Sequence, residues 1–118
     1  MAMQSKDTAL KTLVDAGDYW VVNWRIVKYF GGVDEAILIG YFCSMQKLYG
    51  NDVDAFYRTI PCVAADTTFE ARRQRKAIKN LKDIGVLETA NVGLPRKRYF
   101  HVNYAALDNF LQLLKEHY

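Results

Sequence analysis

Gly85 separates two stretches of different period. Before it, residues 70–84 repeat apolar side chains at helical spacing. After it, Val86-Leu87-Glu88-Thr89-Ala90 reads as a strand, residues 91–98 as a basic loop, and Tyr99-Phe100-His101-Val102-Asn103 as a returning strand. Upstream, Phe56-Tyr57-Arg58-Thr59 is β-prone and long enough for a short first strand. Ile60-Pro61-Cys62-Val63-Ala64-Ala65-Asp66, apolar with one acid, then leads through Thr67-Thr68-Phe69 into the basic helix. Helix, turn, basic helix, basic hairpin is a narrow specification. It predicts an α+β, mainly helical fold: a winged helix-turn-helix with extra N-terminal helices and a C-terminal helix.

The rest of the chain is consistent with one domain over residues 1–118. Residues 1–55 read as an N-terminal helical extension, 56–103 as the helix-turn-helix plus wing, and 104–118 as the C-terminal helix. Residues 5–16 place Leu10, Leu13 and Val14 at helical spacing, with Gly17 as the stop. Residues 18–22 form an aromatic and β-branched extended run. Asn23 can cap a helix over 24–30, closed by Gly31-Gly32. Residues 34–49 are the clearest N-terminal helix, apolar at Ala36, Ile37, Ile39, Gly40, Cys43 and Leu48, and therefore buried on more than one side. Residues 104–117 are amphipathic through Leu107, Phe110, Leu111 and Leu114.

Composition excludes several classes of function. No apolar run approaches the roughly 20 residues of a membrane span, and the first residues lack a signal-peptide pattern. Cys43 and Cys62 lie far apart, and with only His101 and His117 they cannot make a zinc set, so no metal or cofactor is expected. Two lone cysteines on apolar segments read as buried reduced thiols, which fits a cytoplasmic protein. No phosphate loop, zinc-protease motif or nucleophile elbow occurs, and His101, on a strand, is assigned to packing or solvent, so the chain does not read as an enzyme. Asp34 and Glu35 read as first-turn acids answering the helix dipole. Trp20, Trp24, Tyr41, Phe42 and Tyr49 read as core.

Charge is unevenly spread. Residues 56–103 hold ten Lys/Arg against four acids, +6, while the remainder holds six against nine, −3, which together return the net +3. Such a localised basic surface is the footprint of polyanion binding. With Leu81 at the centre of the buried face and about 100° per residue, Gln74, Ala77, Ile78 and Ile84 fall on the same side. Arg72, Arg75, Lys76 and Lys79 fall on the opposite side, with Arg73, Asn80 and Lys82 on the flanks. Arg72 with Lys76 and Arg75 with Lys79 are like-charge pairs four residues apart, a repulsion that an anionic partner relieves. This outer face is the expected contact with the major groove of double-stranded DNA. Asn91-Val92-Gly93-Leu94-Pro95 is turn chemistry, and Arg96, Lys97 and Arg98 after it are expected on phosphates. Alternation along the returning strand sets Tyr99 and His101 on one face, Phe100 and Val102 on the other.

These segments, from about residue 21 to 107, resemble the winged-helix domains of phage, plasmid and integrative-element replication proteins of low-GC Gram-positive bacteria, the DnaD-like replisome organisers among them. The resemblance begins at Val22-Asn23 and at Val33-Asp34-Glu35-Ala36-Ile37-Leu38-Ile39, similar to the family's G-x-x-E-A-I-L helix start. It continues through Phe56-Tyr57-Arg58-Thr59-Ile60, Asp66-Thr67-Thr68-Phe69 and the stretch from Arg75 to Glu88. It ends on Gly93-Leu94-Pro95-Arg96-Lys97-Arg98-Tyr99-Phe100-His101-Val102-Asn103, similar to the family's G-L-P-x-K-R-Y-Y-x-I-N wing. Where the family often has Gly-Leu-Ser at the turn, this chain has Thr68-Phe69-Glu70, which moves the helix cap to Thr67 or Thr68. The resemblance implies a DNA-binding domain of a mobile-element replication initiation or regulatory protein. It also implies a homodimer or higher oligomer through the N-terminal helices, with a replisome protein as a further partner. The helicase-loader-binding region of the larger members is not carried over. An alternative is a protein-interaction or oligomerisation module with little DNA affinity of its own.

Overall fold

Thr59, Asn103 and Gly85 punctuate the chain. The computed structural model describes residues 24, 27, 28 and 32–117, with side chains as far as Leu113. The order is α1 (Val33–Tyr49), β1 (Phe56–Tyr57), α2 (Ile60–Thr67), α3 (Ala71–Ile84), β2 (Leu87–Val92), β3 (Lys97–Val102) and α4 (Tyr104–His117). The fold is α+β and mainly helical, with a three-stranded antiparallel sheet in the order β1-β3-β2. Trp24, Val27 and Lys28 are helical, within the helix expected over 24–30. The helix expected over 5–16 and the extended run over 18–22 lie outside the described residues.

Each boundary has a local cause. The Thr59 hydroxyl accepts from the Cys62 N–H at 3.1 Å, and Pro61 sits in the first turn of α2, where its missing N–H costs nothing. At the end of α3, Gly85 takes φ 94°. Its N–H reaches the Lys82 and Leu81 carbonyls while Val86 N–H reaches Leu81, the paired bonds of a Schellman stop. The Asn103 side chain accepts from Ala106 N–H at 3.0 Å and starts α4 at the expected residue.

The turn between α2 and α3 differs from expectation. Neither Thr67 nor Thr68 caps α3; Glu70 holds the N-cap position, without a side-chain cap bond. Thr67 is turned inward, its hydroxyl donating to Val63 O at 2.7 Å and accepting from Phe69 N–H. Thr68 instead ends α2 with φ 66°, a left-handed conformation unfavourable to a β-branched residue. Phe69 plugs the turn from inside, and the buried Gln74 amide donates to the carbonyls of Phe69 (2.7 Å) and Ile60 (3.0 Å). One side chain thus sets how α3 leaves α2.

The core lies between α1, α3 and the inner face of the sheet. Phe42 of α1 stacks on Phe100 of β3 at 4.6 Å, and Phe56 of β1 stands 5.7 Å from Phe100. Leu38, Tyr41, Val63, Leu81, Val86 and Val102 are fully enclosed around them. A fully buried aliphatic or aromatic side chain of this kind contributes about 1.5–3 kcal/mol. Phe100 and Val102 face inward as alternation requires, while Tyr99 and His101 lie half-buried on the outer face.

Several expected core positions are corrected. Leu48 is 66% exposed and Tyr49 61%; in that last turn of α1 it is Gln46 that is buried, against Val102 of β3. Ile84 is partly exposed at the open end of α3. Trp24 is mostly exposed, with Lys28 Nζ 5.0 Å above its ring, and is not a core residue. Among the described residues no helix is long and apolar enough to cross a membrane.

Candidate nucleic-acid interface

Helical periodicity brings Arg72, Arg75, Lys76 and Lys79 to one side of α3, all exposed, while Gln74, Ala77, Ile78 and Leu81 are buried on the other. Lys79 pairs with Asp83 at 3.0 Å, with both side chains largely in water. Arg72 and Lys76 have no ion-pair partner among the described residues. Among the described residues the outer face therefore carries uncompensated positive charge.

Arg73, the flanking candidate, is already engaged. Its guanidinium makes a bidentate bond to Asp34 of α1, with Nε to Oδ2 and Nη2 to Oδ1 both at 2.8 Å, and lies over the Phe69 ring at 4.0 Å. The hydrogen bond to Asp34 holds its pKa above the ordinary arginine value. Glu35 beside it is buried and accepts from Asn80 Nδ2 at 2.7 Å. The two acids assigned to the helix dipole thus also join α1 to one flank of α3, two turns apart.

The hairpin divides its basic run. Gly93 takes φ 85° at the tip, β2 runs to Val92, and β3 begins at Lys97, so the expected basic loop over 91–98 shortens to residues 93–96. Arg96 is exposed beside the tip. Successive strand residues point to opposite faces, so Lys97 and Arg98 part company. Arg98 turns to the helix side, where its guanidinium lies 4.5 Å from the Phe100 ring centre. Burial pushes its pKa down, and its Nη2 is buried without a hydrogen-bond partner. Lys97 turns to the outer face, with Nζ 5.5 Å above Tyr57.

Arg98 thereby joins a group that the linear sequence does not reveal. A cleft of about 210 Å³ between α3 and β3 is lined by Arg75, Ile78, Lys79, Lys82, Asp83 and Arg98. Among the described residues that line it the one acid is Asp83, already paired with Lys79. Lys82, which the angular count puts on a flank, belongs to this cleft. No helical periodicity could have matched it with a residue on the second strand of a hairpin. The cleft is electrostatically suited to a phosphate or another small anionic group.

The thiols depart from expectation. Cys43 is half-buried, and burial raises its pKa. Cys62 is exposed on the outer side of α2 rather than buried, and the Thr59 hydrogen bond, followed by the nearby Arg58 charge, lowers its pKa. Among the described residues no cluster of three or more His, Cys, Asp or Glu could hold a metal ion.

Comparison with protein-family models, with curated proteins and with solved structures yields no match to this chain.

Proposed function

We propose that the chain is a DNA-binding domain of winged-helix type, with α2 and α3 as its helix-turn-helix and the β2–β3 hairpin as its wing. The observation that carries this reading is the uncompensated basic face of α3 continuing into the cationic cleft beneath Arg98. A helix of 14 residues is about 21 Å long and fits lengthwise in the major groove, which is about 12 Å wide. In this arrangement Arg72 and Lys76 reach base edges. Arg75, Lys79, Lys82 and Arg98 surround a phosphate, and Arg96 and Lys97 follow the backbone at the hairpin. Arg73 is held by Asp34 at the edge of this surface and contacts DNA only on leaving that carboxylate. The resemblance to mobile-element replication proteins favours a role at a replication origin or a regulatory site, in a homodimer formed through the N-terminal helices.

Fluorescence anisotropy with a random duplex and with the element's own origin DNA, at two salt concentrations, tests the proposal. Neutralising several phosphates makes log affinity fall steeply and linearly with log salt. Arg72→Glu with Lys76→Glu should abolish duplex binding without unfolding the domain. Affinity that survives this double reversal would sink the assignment.

A protein-docking role has its own supporting observation. Leu48, Tyr49 and Val53 are between 61% and 72% exposed around the end of α1, away from the basic face. Analytical ultracentrifugation of Leu48→Glu separates the readings, since loss of self-association with duplex affinity intact places docking at that end.

A further inference from the structure

The outer face of the sheet carries a second arrangement, independent of the α3 surface. Tyr57 of β1 and Tyr99 of β3 are register partners across the strands, their ring centres 5.9 Å apart and their planes inclined at 42°. Tyr57 is 41% exposed, although its neighbour Phe56 is wholly buried. Lys97 Nζ stands over the Tyr57 ring at 5.5 Å, with the exposed Arg96 next in the chain. On the other side of Tyr99 its β2 partner is Ala90, small and exposed. That leaves a hollow of about 180 Å³ whose lining includes Ala55, Ala90, Tyr99 and His101. Among the described residues of this face the acid Glu88 is the register partner of His101, and it lines the same hollow at the end away from Lys97.

We propose that this face is a stacking platform for single-stranded nucleic acid, with Tyr57 and Tyr99 receiving successive unpaired bases and Lys97 and Arg96 holding the phosphates. Aromatic side chains alternating with cations on an open antiparallel sheet match the chemistry of an unpaired strand, which offers flat bases and a regular negative charge. A duplex cannot use the platform, because its bases are already stacked and its edges lie in grooves. The hollow beside Tyr99 admits a planar ring where a larger β2 residue would have closed it. The cross-strand tyrosine pair also staples β1 to β3. A bare stapling role, however, needs neither the cation over Tyr57 nor the open space beside Tyr99.

The test uses the full chain with a fluorescein-labelled 15-nucleotide oligo-dT, the matching oligo-U and a blunt duplex. Wild type should bind oligo-dT at low salt. Tyr57→Leu and Tyr99→Leu should each weaken that binding about fivefold or more, with duplex affinity unchanged. Tyr57→Phe and Tyr99→Phe keep the rings and should keep the binding, which separates stacking from a general loss of folding. Arg72→Glu with Lys76→Glu should lose the duplex and retain oligo-dT, so this proposal and the duplex reading can fail separately. Comparable binding of oligo-U would mark the platform as indifferent to the sugar. No binding of either oligonucleotide by wild type, or unchanged binding by both leucine variants, would overturn the proposal. So would loss of self-association by the leucine variants with oligo-dT binding intact, since the face would then be an interface between copies.

Discussion

The Gln46 side chain of α1 pairs both backbone groups of Val102 in β3. Val102 N–H donates to Gln46 Oε1 at 2.6 Å, and Gln46 Nε2 donates to Val102 O at 3.2 Å. β1 is only two residues long and stops at the Phe56–Phe100 register, so beyond it the inner strand would present bare peptide groups to the core. A glutamine amide, with one acceptor and one donor side by side, completes the missing rung.

Replacing Gln46 with leucine should therefore destabilise the fold despite its greater hydrophobicity. Two enclosed peptide groups would be left unpaired, at a total cost of about 2–4 kcal/mol. Urea denaturation should show a lower midpoint with little change in slope. A Gln46→Leu chain as stable as wild type would mean that water replaces the amide.

Thr68 bears backbone strain at the turn, with φ 66° and its side chain exposed. Relief of the left-handed penalty should outweigh the entropy that glycine adds to the unfolded chain. Thr68→Gly is thus expected to stabilise by about 0.5–1 kcal/mol, seen as a rise in Tm. Gly85→Ala, at φ 94° with open space around the added methyl, should act in the opposite sense by a similar amount.

Asp34 holds Arg73 at the edge of the proposed DNA surface. Both partners are substantially exposed, 47% and 31%, so solvent screens the pair and it adds little to stability. Asp34→Asn should leave the melting temperature almost unchanged while releasing one more cation toward the duplex. Affinity should rise, and the salt slope should steepen by about one phosphate contact. A fall in affinity would mean that the bridge orients α3 rather than masking its charge.

Tyr41 donates a short hydrogen bond of 2.5 Å to Asp66 Oδ2, joining α1 to α2. Burial, followed by the Asp66 carboxylate, raises the phenol pKa well above its ordinary value of 10.0. The fold therefore favours the protonated phenol. The linked stability is complete below about pH 10, where the unfolded chain keeps its proton, and is lost as pH climbs from there toward the folded-state value. Tyr41→Phe should lower stability by about 1–2 kcal/mol at neutral pH and flatten the decline above pH 10. Stability profiles of the two proteins that run parallel through the alkaline range would contradict this linkage.

How much of this was legible in the sequence depends on the range of the interaction. The inward stripe of α3, its stop at Gly85, the start of α4 and the faces of Phe100 and Val102 all follow from repeats of 3.6 or 2 residues and from caps within a few residues. Leu48 and Ile84 obey the same repeats and are nevertheless exposed, because periodicity does not reveal how far a neighbouring element extends. Cys62 looked apolar in context and faces outward for the same reason. The basic hairpin was evident as composition. Its division was implicit in strand alternation, but became definite only once β3 was seen to begin at Lys97.

By itself, then, the sequence determined the succession of elements, the side of α3 that is buried and the concentration of positive charge after residue 56. Each of these depends on backbone geometry over a few residues. Tertiary structure alone decided which charges remain available. It paired Arg73 with an acid 39 positions away and set Gln46 against a strand 56 positions away. It also enclosed Arg98 beside Lys82 and left Lys97 over Tyr57 on the opposite face. Such contacts depend on how distant elements pack to cover the aromatic core, and that packing is a property of the whole chain.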